Sequence, residues 1–427
     1  MALHHKDIGA IQRAVIIGSA IYCCLVTAGT AFGFSALMPS LLKVGAFAKV
    51  CQPGIRSCNE QIARLTGMFT LASSLLNIFT LPSGAMLDAL GPRATAAVFG
   101  GLATFGCWIY SLGPENDTNY TVGFILMSLS GPYIFNCTMS FGNFFPAHAG
   151  LITACLVGSF DASSGDFAIL ASMIDTGLSF GTAFRLLALM TATCWLTTFA
   201  WPDSPVESAK ESERRELVKR DVWEICRSAE FWLLVYTASI SMISLNFFIA
   251  TAYPQLLSGG LSGEDADTLN SDFAWLLPAG GIVFAPLIGT IVDRLGVAMG
   301  YIILQCTYGA FTFLLMVYST IGTSYSFPRA AFVCFAFCRP LFYTLNPVFC
   351  GRHFGQSNFG SSFGLTLTIA GFCNLLVQPL ASLANTRGFP LINSILGLLQ
   401  FSTILFPIWL MKRTETKHGD TLPYSSA

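Results

Sequence analysis

One short pattern occurs twice in this chain and divides it into two similar halves. Residues 84–91 read GAMLDALG and residues 289–296 read GTIVDRLG, so an acid and two glycines recur at the same spacing. The offset between the copies is close to half of the 427 residues. Each copy interrupts a strongly apolar sequence. A chain that repeats one polar turn in the same apolar setting is typical of an internally duplicated membrane protein.

The apolar setting of the repeats extends over most of the chain. Hydrophobic residues make up 53% and charged residues 11% of the sequence, whereas soluble domains carry about 25% charged residues. Apolar stretches of about 20 residues, the length that crosses a bilayer as a helix, recur throughout. They are too long and continuous for the alternating strands of a membrane barrel. We therefore predict an all-α protein in a lipid bilayer, and the net charge of −1 gives no electrostatic support for a nucleic-acid partner.

Twelve apolar segments can be counted, six on each side of a charged stretch. We predict membrane spans, numbered one to twelve in chain order, at 14–42, 62–87, 94–112, 122–145, 151–172, 182–201, 231–256, 273–292, 297–319, 329–350, 359–384 and 391–411. The charged stretch predicts a linker between spans six and seven. The predicted parts are an N-terminal six-helix bundle at 1–201, a cytoplasmic linker at 202–230, a C-terminal six-helix bundle at 231–411 and a cytoplasmic tail at 412–427.

The distribution of Lys and Arg predicts the orientation of the chain. With both termini in the cytoplasm, 14 of the 22 basic residues fall in cytoplasmic segments, as the positive-inside rule requires. The same orientation places outside an acidic cluster between spans seven and eight, and two glycosylation sequons at Asn116 and Asn119. The span lengths favour the plasma membrane, with a vacuolar or other endomembrane as the alternative.

Two of the 14 cysteines differ from the rest because they lie in a polar loop. Cys51 and Cys58 flank six residues of the first outer loop, whereas most of the others occur singly in apolar segments, where a free Cys acts as a small hydrophobe. A disulfide between them is one expectation, if the loop faces an oxidising compartment. Two free thiols are the other. No histidine accompanies the pair, so we predict no metal site there.

Both copies of the repeated pattern connect the second and third spans of their half, which resembles the signature loop of the major facilitator superfamily. The first glycine of each copy is expected to allow close helix approach, the last to adopt left-handed turn geometry, and the acid to cap a helix or pair across the loop. The predicted gating-loop residues are Gly84, Asp88, Gly91, Arg93, Gly289, Asp293, Arg294 and Gly296. An ordinary hairpin turn is the alternative for a single copy. The resemblance implies two six-helix bundles that rock about a substrate site near the midplane.

A narrower resemblance covers stretches in both halves. Residues 142–148 (GNFFPAH), 158–164 (GSFDASS) and 339–343 (RPLFY) are similar to solute carrier family 43. That family includes sodium-independent carriers of large neutral amino acids, and close relatives within it carry purine nucleobases. The resemblance therefore implies facilitated diffusion of a neutral amino acid, with a nucleobase as the alternative substrate. Asp166 departs from the family pattern by adding an acid just after the second stretch.

Two ionisable residues lie near the middle of their predicted spans and in opposite halves of the chain. Asp161 and Arg339 each stand about ten residues into a span, which places them about 15 Å from a membrane face. An ionised group costs roughly 2.5–3.5 kcal/mol or more in such a position and usually faces a cavity. One hypothesis is that they bind the ammonium and carboxylate of the substrate and pair with each other when the site is empty. A structural ion pair between the bundles is the alternative.

Further polar positions complete the predicted substrate site. Its residues are Gly29, Thr30, Gly33, Asn136, Asp161, Arg339, Tyr343 and Asn346. The two glycines of span one are expected either to expose backbone to the ligand or to serve tight helix packing. Asp166 is about 140° around an ideal helix from Asp161 and is not expected to share its face. A proton-coupling role is one hypothesis for that carboxyl group.

Three functional classes remain open for such a chain. A facilitative carrier, driven through alternating access, is favoured by the duplicated loops. A receptor-like sensor that binds a nutrient without moving it is the second class. An intramembrane enzyme is the third, but the sequence offers no catalytic Ser/His/Asp order, no metal-spaced His cluster and no nucleotide loop, and all five histidines lie in loops or tails. We therefore predict no catalytic residue, no cofactor and no metal, and the sequence predicts no particular oligomeric state.

Overall fold

The computed structural model describes residues 9–52, 58–145, 149–204, 222–321, 325–354 and 359–419. Within these ranges the regular structure is helical and no strand occurs. The predicted all-α class and the arrangement of twelve spans in two six-helix bundles are confirmed. Most of the predicted linker, residues 205–221, and the end of the predicted tail, 420–427, lie outside the described residues.

The N-terminal bundle contains several interrupted helices. Its elements, in order, are Ala10–Cys23, Cys24–Ala28, Thr30–Gly33 and Phe34–Lys43 in span one, Asn59–Ile78 and the first part of Thr80–Ser111 in span two, the rest of that element in span three, Asp117–Thr138 and Met139–Phe144 in span four, Ala149–Ala162, Ser163–Gly165 and Asp166–Asp175 in span five, and Phe180–Thr198 in span six. Span one is interrupted by a π-helical turn at Cys24–Ala28 and then by a 3₁₀ turn at Thr30–Gly33. Span five is interrupted by a 3₁₀ turn at Ser163–Gly165. Such departures from α-helix often mark functional sites.

The C-terminal bundle has longer uninterrupted helices. A short helix, Val222–Arg227, precedes Ala229–Ser258 (span seven), Gly263–Arg294 (span eight), Gly296–Ile321 (span nine), Ser326–His353 (span ten), Phe359–Asn374 and Val377–Arg387 (span eleven), and Phe389–Ser402 and Leu405–Gly419 (span twelve). The acidic segment predicted as a loop is instead the start of span eight. Ser262 caps that helix by accepting from the backbone of Asp265, and acids in a first turn suit the helix dipole.

Nine of the twelve spans are apolar enough to be recognised as membrane-crossing by composition. Eight helical segments of the described chain meet the length and hydropathy expected of a span, and Asn59–Ile78 with Thr80–Leu87 becomes the ninth if these helices, bent by 42°, are taken together. Spans four, five and eight fall short. Helices that face other helices tolerate more small and polar residues than helices that face lipid. Spans five and eight indeed contact each other across the two bundles.

The two signature loops adopt the expected turns but not the expected packing. Gly91 and Gly296 have φ of 77° and 81°, the left-handed geometry that favours glycine. The close helix approach expected at Gly84 and Gly289 does not occur with any described residue, since a Cβ at either position would meet none within 4 Å. The close approach occurs at Gly91, where a Cβ would lie 1.8 Å from the carbonyl oxygen of Asp203.

The first outer loop contains a disulfide between Cys51 and Cys58, with a Cα–Cα distance of 5.8 Å. The side chain of Gln61, which is fully buried, donates to the carbonyl oxygen of Ala46 and fastens the loop to span two. We call the membrane side that carries this loop the outer face and the opposite side the inner face. The sequence predicts that the outer face is extracellular.

Hydrogen bonds join the two bundles in their outer halves. Asn270 of span eight donates to the carbonyl oxygen of Ser35 in span one at 2.8 Å. Gln378 of span eleven donates to the carbonyl oxygen of Ala63 in span two at 3.0 Å. These contacts hold the bundles together between the midplane and the outer face.

Candidate functional site

The central feature of the interior is an ion pair between the two bundles. Arg339 Nη1 of span ten donates to Asp161 Oδ1 of span five at 2.8 Å. The two side chains are 2% and 8% exposed, so the pair is shielded from water. Gly281 of span eight makes room for it, because a Cβ there would lie 2.1 Å from the Cβ of Asp161. Three helices from both halves therefore meet at one buried charge pair.

Aromatic rings enclose the guanidinium group. The Cζ atom of Arg339 lies 4.3 Å from the ring centre of Phe32 and 5.4 Å from that of Tyr343. Attraction of a cation to a ring face is worth more where water is excluded. The Nη2 atom of Arg339 is buried and has no hydrogen-bond partner among the described residues. A charged donor group is thus left available at the centre of the protein.

The break in span one positions Phe32 at the pair. The backbone N–H of Gly29 donates to Ser163 Oγ at 2.6 Å. A Cβ on Gly33 would lie 2.1 Å from the carbonyl oxygen of Ser164. Both glycines therefore serve tight packing of span one against the 3₁₀ turn of span five, which was one of the two expectations for them. Only glycine, which has no Cβ, allows the two interrupted helices to approach so closely at these positions.

The structure brings together some of the predicted substrate-site residues and separates others. Tyr343 lies at the pair, and the 29–33 segment lies beside span five. Asn346 is 1% exposed and is used within the C-terminal bundle, where it accepts from Tyr301 at 2.8 Å and donates to Phe342 O. Asn136 is partly exposed, and its side chain makes no described hydrogen bond to the pair. The candidate site therefore comprises the Asp161–Arg339 pair, Tyr343 and the 29–33 segment.

Sequence reasoning missed two residues that shape the site. Phe32 was passed over among 37 phenylalanines, although its place between Gly29 and Gly33 was a usable signal. Gly281 follows another glycine in span eight. Its contact with Asp161 could not be predicted, because a single sequence does not show which distant spans pack together. The serines of the GSFDASS stretch also act locally: Ser164 Oγ donates to the carbonyl oxygen of Asp161 at 2.7 Å.

A second polar contact joins the bundles near the midplane. Asn374 of span eleven donates to Ser73 Oγ at 3.0 Å and to Ser74 Oγ at 2.9 Å in span two. Its side-chain oxygen accepts from Asn246 of span seven at 2.9 Å. All four side chains are at most 2% exposed. Both polar atoms of the Asn374 side-chain amide are thereby hydrogen-bonded, so this residue joins the bundles and is not part of the candidate substrate site.

The N-terminal signature loop holds the chain where the linker begins. Arg93 Nε donates to the carbonyl oxygen of Trp201 at 2.6 Å, and its Nη1 pairs with Asp203 at 2.9 Å. Arg294 of the C-terminal loop is exposed instead. The side chains of Asp88 and Asp293 lie outside the described residues, so their predicted pairing remains a prediction.

Comparison with known proteins identifies the class. The family model described as Major Facilitator Superfamily matches residues 23–378, and the chain belongs to that family. It is a multi-pass integral membrane transporter rather than an enzyme.

Individual relatives point to small organic substrates. Protein FMP42 of Saccharomyces cerevisiae is 26% identical, with 85% of this chain and 87% of that protein covered. Equilibrative nucleobase transporter 1 of Bos taurus is 23% identical over 95% and 97% of the two chains. Aromatic and large neutral amino acid transporter 5-3 of Toxoplasma gondii is 24% identical over 96% and 86%. Among solved structures, the POT family transporter PepTSo superposes with a TM-score of 0.68 at 11% identity, covering 96% of this chain and 98% of that one, which supports the fold alone.

Proposed function

We propose that the protein carries neutral amino acids across a membrane by alternating-access facilitated diffusion. The observation that supports this most directly is the buried Asp161–Arg339 pair, with Arg339 Nη2 unpartnered beside it. An amino acid at neutral pH is a zwitterion, with one group suited to each partner. The relative from Toxoplasma gondii, whose name specifies aromatic and large neutral amino acids, supports the same substrate class.

Substrate binding on this proposal is an exchange of ionic partners. The substrate carboxylate accepts from the guanidinium of Arg339, and the substrate ammonium donates to the carboxylate of Asp161. Each buried charge keeps an opposite charge throughout, which avoids the several kcal/mol that an unpaired buried ion would cost. Charge-assisted bonds are the strong ones in such a dry site.

The apolar surroundings suit a neutral and fairly large side chain. Phe32 lies 6.3 Å from Phe160 and 6.4 Å from Tyr343 between ring centres. The ring of Phe135 lies 5.0 Å from that of Phe160. A charged substrate side chain would find no described partner among these rings and would lose its hydration, which disfavours it.

The pair also connects binding to movement. Asp161 and Arg339 belong to opposite bundles, so a zwitterion that separates them loosens one tie between the bundles. Rocking then exposes the site to the other side. No second solute is needed for this step, and the substrate gradient alone drives net flux.

A purine nucleobase is the second candidate substrate. The flat rings of Phe32 and Tyr343 would stack on a purine, and Asp161 and Arg339 would meet its donor and acceptor edges. The name of the Bos taurus relative specifies nucleobases. A nucleobase leaves the buried pair unmatched in charge, which is why we favour the zwitterion.

Uptake into proteoliposomes tests the proposal. We expect labelled leucine and phenylalanine to accumulate inside the vesicles, and adenine and guanine to enter poorly. Arg339→Lys keeps the charge but loses the planar fork, and we expect a loss of about tenfold or more in uptake. Arg329→Lys is the matched control, because that pair with Asp272, also 2.8 Å long, is exposed at the outer face. Binding of leucine without accumulation would show a sensor and contradict the proposal.

We further propose that the carrier lies in the plasma membrane with both termini and the linker in the cytoplasm. The excess of Lys and Arg on the inner face and the disulfide on the outer face support this orientation. Labelling of intact cells with an impermeant maleimide after reduction tests it. We expect Cys51 and Cys58 to react without permeabilisation, and reaction only after permeabilisation would contradict it.

A further inference from the structure

A second carboxyl group near the midplane of span five has no basic partner. Asp166 is partly exposed, and its Oδ2 accepts from the hydroxyl of Thr30 at 3.5 Å. That hydroxyl also lies 3.3 Å from the carbonyl oxygen of Val26, so its single proton is shared between two acceptors. Among the described residues, no basic nitrogen lies within 4.0 Å of the carboxyl oxygens of Asp166.

The elements packed against Asp166 do not supply a positive charge either. Spans one, six and eight contact the helix that Asp166 begins, and the buried thiol of Cys107 in span three is near enough to be affected by the charge of Asp166. The described basic groups on these elements lie elsewhere: Lys43 pairs with Asp175, Arg185 lies over the ring of Trp108, Arg13 donates to the carbonyl oxygen of Phe144, and Arg294 is exposed at the opposite end of span eight. An ionised Asp166 therefore depends on one long hydrogen bond and on whatever water reaches it, and a carboxylate so placed is strongly disfavoured when water leaves.

Asp166 follows Gly165, a second residue at which span five meets the opposite bundle. A Cβ on Gly165 would lie 3.3 Å from Pro278 Cγ of span eight. Together with the bond from Asn270 to Ser35, this contact belongs to the outer seam between the bundles. Alternating access requires that seam to open and close. In the closed arrangement described here Asp166 keeps only part of its surface accessible, and opening of the seam would give water fuller access to it.

We propose that Asp166 is a proton-binding site, and that the outer seam closes readily when its carboxyl group is neutral. Acid at the outer face then favours closure, whereas deprotonation at higher pH leaves a charge that must be dehydrated and slows it. This inference rests on the proposed function as a carrier and deepens it. The substrate gradient still drives net flux, and outer pH sets how fast the cycle turns.

Substrate exchange at equal pH on both sides of the vesicle membrane tests the inference. Between about pH 5.5 and about pH 8.5, we expect wild-type leucine exchange to fall with pH, by up to about tenfold per unit once the carboxyl is mostly ionised. Asp166→Asn cannot ionise and is expected to stay active with a flat profile. Asp175→Asn is the matched control, because this acid lies on the same helix but is exposed and paired with Lys43; it should retain the wild-type profile.

A flat wild-type profile, or a pH dependence that survives in Asp166→Asn, would overturn the proposal. If that variant fails to reach the membrane, Asp166→Glu takes its place and must remain pH-dependent. Infrared difference spectra of the protein in nanodiscs, recorded without substrate at acid and alkaline pH, separate this inference from the choice of substrate. A protonated-carboxyl band present in the wild type and missing in Asp166→Asn supports the proton site even if leucine is not carried. Absence of that band refutes the site even if leucine is carried.

Discussion

Asp161 and Asp166 are five residues apart in one span, yet their surroundings differ completely. Asp161 is 8% exposed and bonds Arg339 of the opposite bundle at 2.8 Å. Asp166 is partly exposed and accepts one 3.5 Å bond from a hydroxyl of its own bundle. The 3₁₀ turn Ser163–Gly165 separates them. On our two proposals, one carboxylate is paired with a cation that a zwitterion replaces, whereas the other has only a proton to neutralise it.

Removing each carboxylate should have very different consequences for stability, and this is the largest expected effect. Asp161→Asn leaves a guanidinium buried without its ion, which costs about 3–5 kcal/mol. Asp166→Asn removes a carboxyl group that has only one long hydrogen bond, and it should cost about 1 kcal/mol or less. Thermal unfolding in detergent measures both. Equal destabilisation by the two variants would break the comparison, and Asp161→Asn with Arg339→Gln should recover stability without recovering transport.

The room made for Asp161 can be removed without touching its charge. Gly281→Ala places a methyl group 2.1 Å from the Cβ of Asp161, and such overpacking typically costs about 1–3 kcal/mol. We expect lower stability and slower leucine uptake. Gly158→Ala serves as the control, because a Cβ at this position in span five would meet no described residue within 4 Å. A loss as large in the control would mean that the packing around Asp161 is not the cause.

The aromatic cover of Arg339 should contribute a smaller amount. Phe32→Leu removes a ring 4.3 Å from the guanidinium, an interaction of about 0.5–2 kcal/mol. The Michaelis constant for leucine should rise between about twofold and thirtyfold, with little change in protein level. Phe135→Leu removes a ring that contacts Phe160 and should change it less. Equal effects of the two substitutions would indicate general packing rather than a role at Arg339.

The weakest contact should give the smallest effect. Thr30→Val removes the hydroxyl that donates to the ionised form of Asp166. The neutral form then persists to higher pH, so the alkaline fall in exchange should move upward, by less than about one pH unit for a bond of this length. A shift toward acid would contradict the assigned direction of the hydrogen bond.

The sequence predicted the frame better than the site. The duplicated loop and the apolar segments indicate twelve spans because the length needed to cross the bilayer acts on each segment by itself. Gly91 and Gly296 were readable for the same local reason. Asp161 and Arg339 could be singled out because ionised groups are rare within spans.

Contacts between distant spans could not be read from one sequence. Nothing near Asn346 indicates that Tyr301 occupies its side chain, and nothing near Gly281 indicates Asp161. Ideal helix geometry correctly predicted that Asp161 and Asp166 lie on different faces. The 3₁₀ turn between them was not predicted, because Ser163, Ser164 and Gly165 carry no distinctive sequence pattern for such a turn.

Competition by leucine analogues that lack one charge tests the central claim most directly. Labelled leucine uptake is measured with unlabelled leucine, with 4-methylpentanoate, which lacks the ammonium group, and with 3-methylbutylamine, which lacks the carboxylate. If the substrate separates Asp161 from Arg339 by matching both, only leucine should compete effectively, because each analogue leaves one buried charge unpaired. Competition by either analogue as strong as that of leucine would contradict the exchange of ionic partners.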